Sequence, residues 1–214
     1  MLKTNKEILK EAEFALSKKW GRAILVNLSY ILIVILITLV EKKGLLNIGS
    51  ITRDIIQIAI SLIITGPFVL GLYKYHLSLA RRETPTYETM YDGFRDFKRA
   101  FITYILSSVY ITLRLLLLII PGIIATLNYA LVYFILLDDP TITSNEAILK
   151  SKKMMYGHRK QFFYMNLIFL GLIIASIFTL FTGLLWLLPY MSVSYSIFYE
   201  DVKKQYAAER VVIE

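Results

Sequence analysis

Residues 101–137 of this chain read FITYILSSVYITLRLLLLIIPGIIATLNYALVYFILL, an apolar run of 37 residues in which Arg114 is the single charged side chain. As one helix the run would be about 55 Å long at about 1.5 Å per residue, whereas the hydrocarbon core of a bilayer is about 30 Å thick. The run must therefore fold back on itself. Because proline cannot continue a helical hydrogen-bond ladder and glycine relaxes a turn, the break is predicted at Pro121-Gly122.

A second overlong run shows the same feature. Residues 162–199 form an apolar run of 38 residues, and its break is predicted at Thr182-Gly183. The predicted fold class is all-α: a polytopic transmembrane helix bundle of six spans in one membrane domain, residues 1–214. The predicted spans are 23–40, 55–75, 101–120, 122–137, 162–181 and 184–199.

The composition agrees with a membrane protein. Hydrophobic residues make up 57% of the 214 residues, whereas soluble domains typically contain about 45–50%. The sequence has no cysteine, which excludes disulfides and thiolate metal sites. The first apolar run follows a charged segment and lacks a small-residue cleavage pattern, so we interpret it as an uncleaved span rather than a signal peptide.

Lysine and arginine are distributed asymmetrically around these spans. Six spans place residues 1–22, 74–100, 138–161 and the tail from Glu200 on one side with 20 basic residues, against three in the 41–54 loop. The positive-inside rule then predicts that both termini are cytoplasmic. This topology and anionic lipid headgroups explain the net charge of +8, so membrane lipids are the expected partners and nucleic acid is not.

A surface amphipathic helix is predicted before each pair of spans. The first begins at 4-TNKE-7 and the third at 143-TSNE-146, and both motifs have the spacing of a capping box. The second is predicted to open at 84-TP-85, with proline at the first helical position. Its apolar stripe follows helical spacing and consists of Tyr87, Met90, Tyr91, Phe94, Phe97 and Phe101.

The recurrence of a surface helix and two spans suggests a threefold internal repeat. Its units would be residues 1–75, 84–137 and 143–199, and transporter folds often contain such repeats. The alternative also stays open, because connectors between membrane spans tend to be amphipathic and basic whether or not they are repeated.

Three segments resemble a known family. They are 64-ITGPFVLGLYKYHLSLAR-81, 119-IIPGIIATLNYALVYFILLDDP-140 and 151-SKKMMYGHRKQFF-163. Their Gly-Pro, Ile-Pro-Gly, Asp-Pro and Met-Tyr-Gly-His motifs resemble those of the uncharacterised bacterial family known as domain of unknown function 975. The resemblance implies a polytopic bacterial membrane protein and brings no established activity, substrate or site. Together with the charge distribution, it predicts a multi-pass protein of the bacterial cytoplasmic membrane.

Arg114 and Asn128 lie at similar depth on either side of the predicted Pro121-Gly122 turn. Either the Arg114 guanidinium reaches the membrane interface along its aliphatic stem, or it faces inward and binds the Asn128 amide oxygen. Since no acidic residue lies within a predicted span, an inward cation would favour an anionic ligand. Gly66-Pro67 would interrupt its helix and either line a binding path or act as a packing kink.

A second set of candidates lies at the ends of the amphipathic helices. We expect these residues to contact lipid headgroups or a partner protein. They are Lys18, Lys19, Trp20, Arg95, Lys98, Arg99, His158, Arg159 and Lys160.

No recognisable catalytic motif is present. The sequence contains no phosphate-binding loop, HExxH or GxSxG pattern, and its two histidines are His76 and His158. We therefore expect neither enzyme activity nor a metal site or cofactor. The leading prediction is a non-catalytic membrane module that binds lipid or a partner protein. The alternative is a transporter or export component for an anionic or amphipathic small molecule, with a path near Arg114, Asn128 and Gly66-Pro67.

Overall fold

The structure is a computed structural model that describes residues 3–42 and 50–213. All regular secondary structure in these residues is helical, and residues 43–49, half of the predicted 41–54 loop, lie outside them. The elements are α1 (Asn5–Leu16), α2 (Trp20–Lys42), α3 (Ser50–Ala80), a 3-10 helix (Tyr87–Phe94), α4 (Phe97–Leu117), α5 (Ile119–Tyr129), α6 (Val132–Asp138), α7 (Ser144–Met154), α8 (Arg159–Ala175), a second 3-10 helix (Ser176–Thr179) and α9 (Leu184–Ile213).

In two parts of the chain, a long helix begins at the same end of the bundle at which a later helix ends: α2 with α3, and α4 with α6. Lys19, which precedes α2, donates from Nζ to the carbonyl of Glu83, which follows α3, at 2.7 Å. Arg99, in the first turn of α4, donates to the carbonyl of Pro140, which follows α6, at 2.8 Å. The reversal between α4 and α5 must therefore lie at the far end, about 30 Å away for a helix of this length.

The third pair, α8 and α9, is joined to the N-terminal segment. The backbone amide of Lys3 donates to the Asp201 carboxylate at 2.7 Å, and Gln161 Nε2 donates to the Lys3 carbonyl at 2.7 Å. Because Gln161 begins α8 and Asp201 lies in the second half of α9, this pair also opens toward α1.

One ion cluster connects the three pairs. Arg81, after α3, pairs with Asp138 of α6 at 2.5 Å and with Glu200 of α9 at 2.6 Å. Lys203 pairs with Asp138 at 2.5 Å, and the Tyr199 hydroxyl donates to the same carboxylate at 2.6 Å. The four segments that were predicted to share one side therefore meet. We name this part of the bundle the basic end; it comprises residues 3–22, 81–99, 138–161 and 200–209.

Four helical stretches are long and apolar enough to cross a membrane: Ile58–Ala80, Phe97–Leu117, Ile119–Asp138 and Arg159–Thr179. A fifth is obtained if α1 and Trp20–Leu36, which are bent by 96° relative to each other, form one span. The structure therefore gives an all-helical protein with four or five candidate spans among the described residues, where the sequence predicted six.

The break in the 101–137 run lies at Leu118 and not at Pro121-Gly122. Leu118 is extended, with φ −165° and ψ 146°, between the end of α4 and the start of α5. Pro121 lies in the first turn of α5, where a missing N–H costs nothing because the first helical amides lack intrahelical partners. Gly122 has a packing role, since a Cβ at this position would overlap the Leu115 side chain.

The predicted break at Thr182-Gly183 falls within the observed turn. The second 3-10 helix ends at Thr179 and α9 begins at Leu184. The left-handed backbone of this turn belongs to Leu180 and Phe181, with φ 50° and 64°. The reversal therefore places two bulky residues at positive φ, a conformation that such residues rarely adopt.

Two of the three predicted helices begin where their capping-box motifs predicted; their position at a membrane surface stays a prediction. The Thr4–Glu7 and Thr143–Glu146 capping boxes are both formed, at the starts of α1 and α7. The apolar face of α1 is buried, as the spacing predicted, and includes Ile8, Ala12, Ala15 and Leu16.

The second predicted surface helix is wrong in type and in start. Residues Tyr87–Phe94 form a 3-10 helix that begins after Thr86, so Pro85 is not its first helical residue. Met90 is buried, but other members of the stripe, such as Tyr91, remain substantially exposed. The backbone of this segment packs directly against α3, because a Cβ on Gly71 would overlap the Met90 backbone. This contact explains why the segment does not form the predicted α-helix.

Ser151 completes the hydrogen bonding where α5 and α6 part. The helix is interrupted at Ala130 and Leu131. Ser151 Oγ, on α7, accepts from the Leu131 amide at 3.3 Å and donates to the Asn128 carbonyl at 2.7 Å. Because unpaired backbone groups are costly in an apolar environment, α7 allows the helix to break here.

We predict that Ser151→Ala lowers the free energy of unfolding by about 1–3 kcal/mol, because it leaves a buried amide and carbonyl unpaired. Chemical unfolding in detergent, monitored by circular dichroism, measures the change. Ser108→Ala is the matched control and should be close to neutral. Equal stability of the two variants would contradict the role assigned to Ser151.

Candidate functional site

The ion cluster at the basic end is sheltered from solvent. The Asp138 side chain is only 14% exposed, although it accepts from two cations and a tyrosine. Burial lowers the pKa of Arg81, but hydrogen bonds to Asp138 and Glu200 outweigh this effect and the pKa rises above its ordinary value. Arg81 is therefore permanently charged and its charge is used to hold helices together.

Arg99 closes the end of α6, and both terminal nitrogens of its guanidinium are used within the protein. Its guanidinium donates to the carbonyls of Leu136, Asp139 and Pro140, each at 2.8 Å. It also pairs with Asp96 at 2.8 Å. The last carbonyls of a helix lack intrahelical partners, and Arg99 supplies the missing hydrogen-bond donors. Arg99 therefore has a structural role, and its contact with lipid or a partner stays a prediction.

Four predicted contact residues remain available at the surface. Lys18, Lys98 and Lys160 are exposed and form no ion pair with any side chain that the structure describes. Arg95 is 84% exposed and pairs with Asp92 of the same turn at 3.3 Å. Such exposed pairs are weak and exchange readily with other anions.

Lys19 and Trp20 contact the protein itself. Lys19 donates to the Glu83 carbonyl, as described above. The Trp20 ring lies 6.4 Å from the Tyr190 ring, centroid to centroid. Both residues therefore help to fix the corner where the chain turns by 96° from α1 into α2.

His158 and Arg159 begin α8. The Arg159 Cζ lies 5.6 Å from the centroid of the Tyr156 ring. Burial lowers the pKa of His158, and the nearby charges of Glu209 and Asp201 only partly oppose this effect. His158 is therefore neutral at pH 7, which makes Arg159 the cation of this pair.

Arg114 and Asn128 do not form the expected hydrogen bond. Asn128 Oδ1 is buried without a hydrogen-bond partner in the described part of the chain. The Arg114 Cζ lies 5.5 Å from the centroid of the Tyr129 ring. Arg114 itself is half-buried, and the Tyr129 ring that it contacts is buried. The ring supplies a cation–π contact there.

Gly66 and Pro67 are packing residues in this structure. A Cβ on Gly66 would lie 3.2 Å from Phe101 Cα, and a Cβ on Gly93 would overlap the Pro67 carbonyl. α3 therefore uses this segment to approach both α4 and the first 3-10 helix closely. The kink interpretation describes these contacts better than the binding-path interpretation.

A cavity of about 250 Å³ lies between α2, α3, α6 and α9. Arg114, Asn128, Gly66 and Pro67 are absent from its walls. Its polar and aromatic lining includes Asn27, Tyr30, Tyr73, His76, Phe134 and Tyr195.

The tautomer of His76 follows from its hydrogen bonds. His76 Nδ1 lies 2.8 Å from the Leu72 carbonyl, which can only accept, so Nδ1 carries the proton. Nε2 then accepts from Asn27 Nδ2 at 3.0 Å. Asn27 Nδ2 also donates to the Ala23 carbonyl at 2.8 Å. The imidazole is therefore neutral and both of its nitrogens are committed.

Sequence reasoning did not find this cavity. Asn27 and His76 lie on different apolar helices, and their spacing along the chain does not reveal that they face each other. The available signal was weak: each is a polar side chain at the edge of an apolar run. Within the described residues, no three His, Asp or Glu side chains group as metal ligands would.

Comparison with known proteins identifies a family and no close relative. The model of the family described as protein of unknown function (DUF975) matches residues 1–121 and 109–206. No curated protein and no solved structure matches the chain significantly.

We predict that Asp138→Ala destabilises the protein by about 2–3 kcal/mol, between the values for surface and fully buried ion pairs. The substitution leaves Arg81 without one of its two carboxylates and Lys203 without its partner. Asp139→Ala is the matched control, because Asp139 hydrogen-bonds mainly to Thr141. Unfolding in detergent measures both, and a larger loss for Asp139→Ala would contradict the cluster's role.

Proposed function

This chain belongs to the DUF975 family of proteins of unknown function, and we propose that it is a non-catalytic membrane module whose basic end binds anionic lipid headgroups. The observation that supports this most is the meeting of four basic segments at one end of the bundle. Contacts between Lys3 and Asp201, and from Arg81 to Asp138 and Glu200, bring these segments together.

The proposal includes six crossings. Each of the three helix pairs opens toward the basic end, so an even number of crossings leaves both termini on one side. α2 and α9 complete the set as antiparallel partners of α3 and α8. Large apolar side chains remain exposed far from the basic end, as lipid-facing residues would: Leu116 and Leu117 are 78% and 76% exposed, and Phe178 is 88% exposed.

Orientation follows from charge. The basic end is proposed to face the cytoplasm of a bacterium, because lysine and arginine accumulate on that side of the inner membrane. Anionic lipids of that leaflet attract basic side chains near the surface with about 1 kcal/mol each. The exposed cations without an ion pair among the described side chains would make this contact: Lys6, Lys10, Lys18, Arg22, Arg82, Lys98, Lys152, Lys153, Lys160 and Lys204.

Three points favour binding over the alternatives. In the part of the chain that the structure describes, the carboxylate of the ion cluster at the basic end, Asp138, is already held by Arg81 and Lys203, which suits a structural role better than catalysis. The charge of the basic residues is mixed with Asp and Glu, which suits a lipid surface better than nucleic acid. The transport path suggested by Arg114, Asn128 and Gly66-Pro67 has less support, because these residues contact different neighbours and none of them lines the cavity between α2, α3, α6 and α9.

Cysteine labelling tests the topology, and the native chain has no cysteine to interfere. We expect a membrane-impermeant maleimide added to intact cells to label Thr182→Cys in the α8–α9 turn. Ser17→Cys and Thr141→Cys, at the basic end, should be labelled only after the membrane is permeabilised. Labelling of Ser17→Cys and Thr182→Cys from the same side would exclude the proposed orientation and the six crossings.

Lipid titration tests the binding function. We expect phosphatidylglycerol to raise the melting temperature of the purified protein in detergent more than phosphatidylcholine does. Combined Lys18→Glu, Lys98→Glu and Lys160→Glu substitutions should abolish that difference, as should high salt, which screens exposed charges.

The matched control reverses the same number of charges in the opposite loop, at Lys42, Lys43 and Arg53. This control should keep the preference for phosphatidylglycerol. The proposed function fails if the basic-end variant keeps the full preference, or if wild-type protein responds equally to both lipids.

A further inference from the structure

We propose that the cavity between α2, α3, α6 and α9 is a binding site for a small, uncharged, mainly aromatic molecule that carries one hydroxyl or carbonyl group. This site is separate from the exposed cations of the basic end. Its ligand follows from three properties of the walls: their charge, their free hydrogen-bonding groups and their shape.

The walls are electrically neutral. No Asp, Glu, Lys or Arg lines the cavity. His76, the one titratable base there, is held neutral because its Nδ1 donates to Leu72 and its Nε2 accepts from Asn27. An anion or cation would therefore enter without a counter-charge, which is costly in a desolvated site. An uncharged ligand avoids this cost.

Two tyrosine hydroxyls remain free to recognise such a ligand. Among the side chains that the structure describes, the Tyr30 and Tyr73 hydroxyls form no hydrogen bond, although both residues line the cavity. The third tyrosine, Tyr195, is already committed, since its hydroxyl donates to Asn166 Oδ1 at 2.8 Å. Tyr30 and Tyr73 can each donate to an oxygen of the ligand.

Acceptors are also present for a ligand that donates. Ser192 and Ser196 donate to carbonyls of their own helix, Leu188 at 3.0 Å and Ser192 at 2.9 Å. Both serines line the cavity, and a hydroxyl oxygen that donates its proton can still accept a hydrogen bond. A hydroxyl group on the ligand can therefore accept from a tyrosine and donate to a serine, whereas a purely apolar molecule would leave these groups unused.

The walls favour a flat ring over a flexible chain. The Tyr73 ring packs against Tyr133 and Phe134, with centroids 4.9 and 4.8 Å apart. Such a rigid aromatic wall presents ring faces and edges to the ligand. A volume of about 250 Å³ lies near the lower limit for ligand pockets and holds a molecule of about ten non-hydrogen atoms.

Direct binding of three related probes tests the proposal. The protein is reconstituted in nanodiscs, and 2-naphthol, naphthalene and 2-naphthoate are each titrated against it by equilibrium dialysis, with empty nanodiscs as the baseline. We expect saturable binding of 2-naphthol, weaker binding of naphthalene and none of the anion 2-naphthoate at pH 7. Cavity-filling Ser192→Phe should abolish the saturable binding.

Tyr73→Phe and Tyr164→Phe form a matched pair, since each removes one hydroxyl and Tyr164 is 58% exposed and outside the cavity. Tyr73→Phe should weaken 2-naphthol binding about three- to tenfold, as the loss of one hydrogen bond does, and leave naphthalene binding unchanged. Tyr164→Phe should change neither. Circular dichroism and size-exclusion chromatography check that each variant is folded.

Other occupants predict different results. If the cavity holds only water, 2-naphthol shows no saturable binding. If it holds a lipid chain, naphthalene and 2-naphthol bind equally and Tyr73→Phe has no effect. Either result, or binding of 2-naphthoate as tight as that of 2-naphthol, overturns the proposal. Lipid titration of the basic-end variant is unaffected by any of these outcomes.

Discussion

The structure depends on one constraint: wherever a helix stops inside an apolar medium, the backbone groups that it exposes must find partners. Another element supplies them at each break near the basic end. Ser151 serves the gap between α5 and α6, and Arg99 serves the carbonyls after α6. The short helices and connectors are therefore part of the bundle, because without them the long apolar helices would end with unpaired groups.

The same requirement divides the charged residues into two classes. Arg81 and Arg99 bind carboxylates and carbonyls within the protein, so replacing them would lower the stability of the fold. Lys18, Lys98 and Lys160 extend from the same end with no ion partner among the described side chains. Arginine suits the first class because its planar guanidinium donates to several acceptors at once. Lysine suits the second class because its flexible side chain can follow mobile lipid headgroups.

The polar residues within the bundle were harder to interpret from the sequence. Arg114 was the most conspicuous of them, and it lies half-buried against the Tyr129 ring. Asn27 and His76 attracted less notice, yet they meet across two helices beside a cavity. A polar side chain in an apolar run signals a contact, but the rotation of each helix about its axis decides which contact it makes, and tertiary packing sets that rotation.

The sequence alone determined that the chain is all-helical, that its two overlong runs reverse, and that its basic segments share one side, because run length, proline, capping boxes and charge are local properties. It placed one reversal three residues late, and it took a 3-10 segment for an α-helix. Tertiary structure decided these points. Gly71 approaches the Met90 backbone closely, which holds that segment against α3. Only the packed bundle brings Tyr30 and Tyr73 to the wall of one cavity, because a cavity is bounded by residues of several helices and its lining depends on how those helices pack.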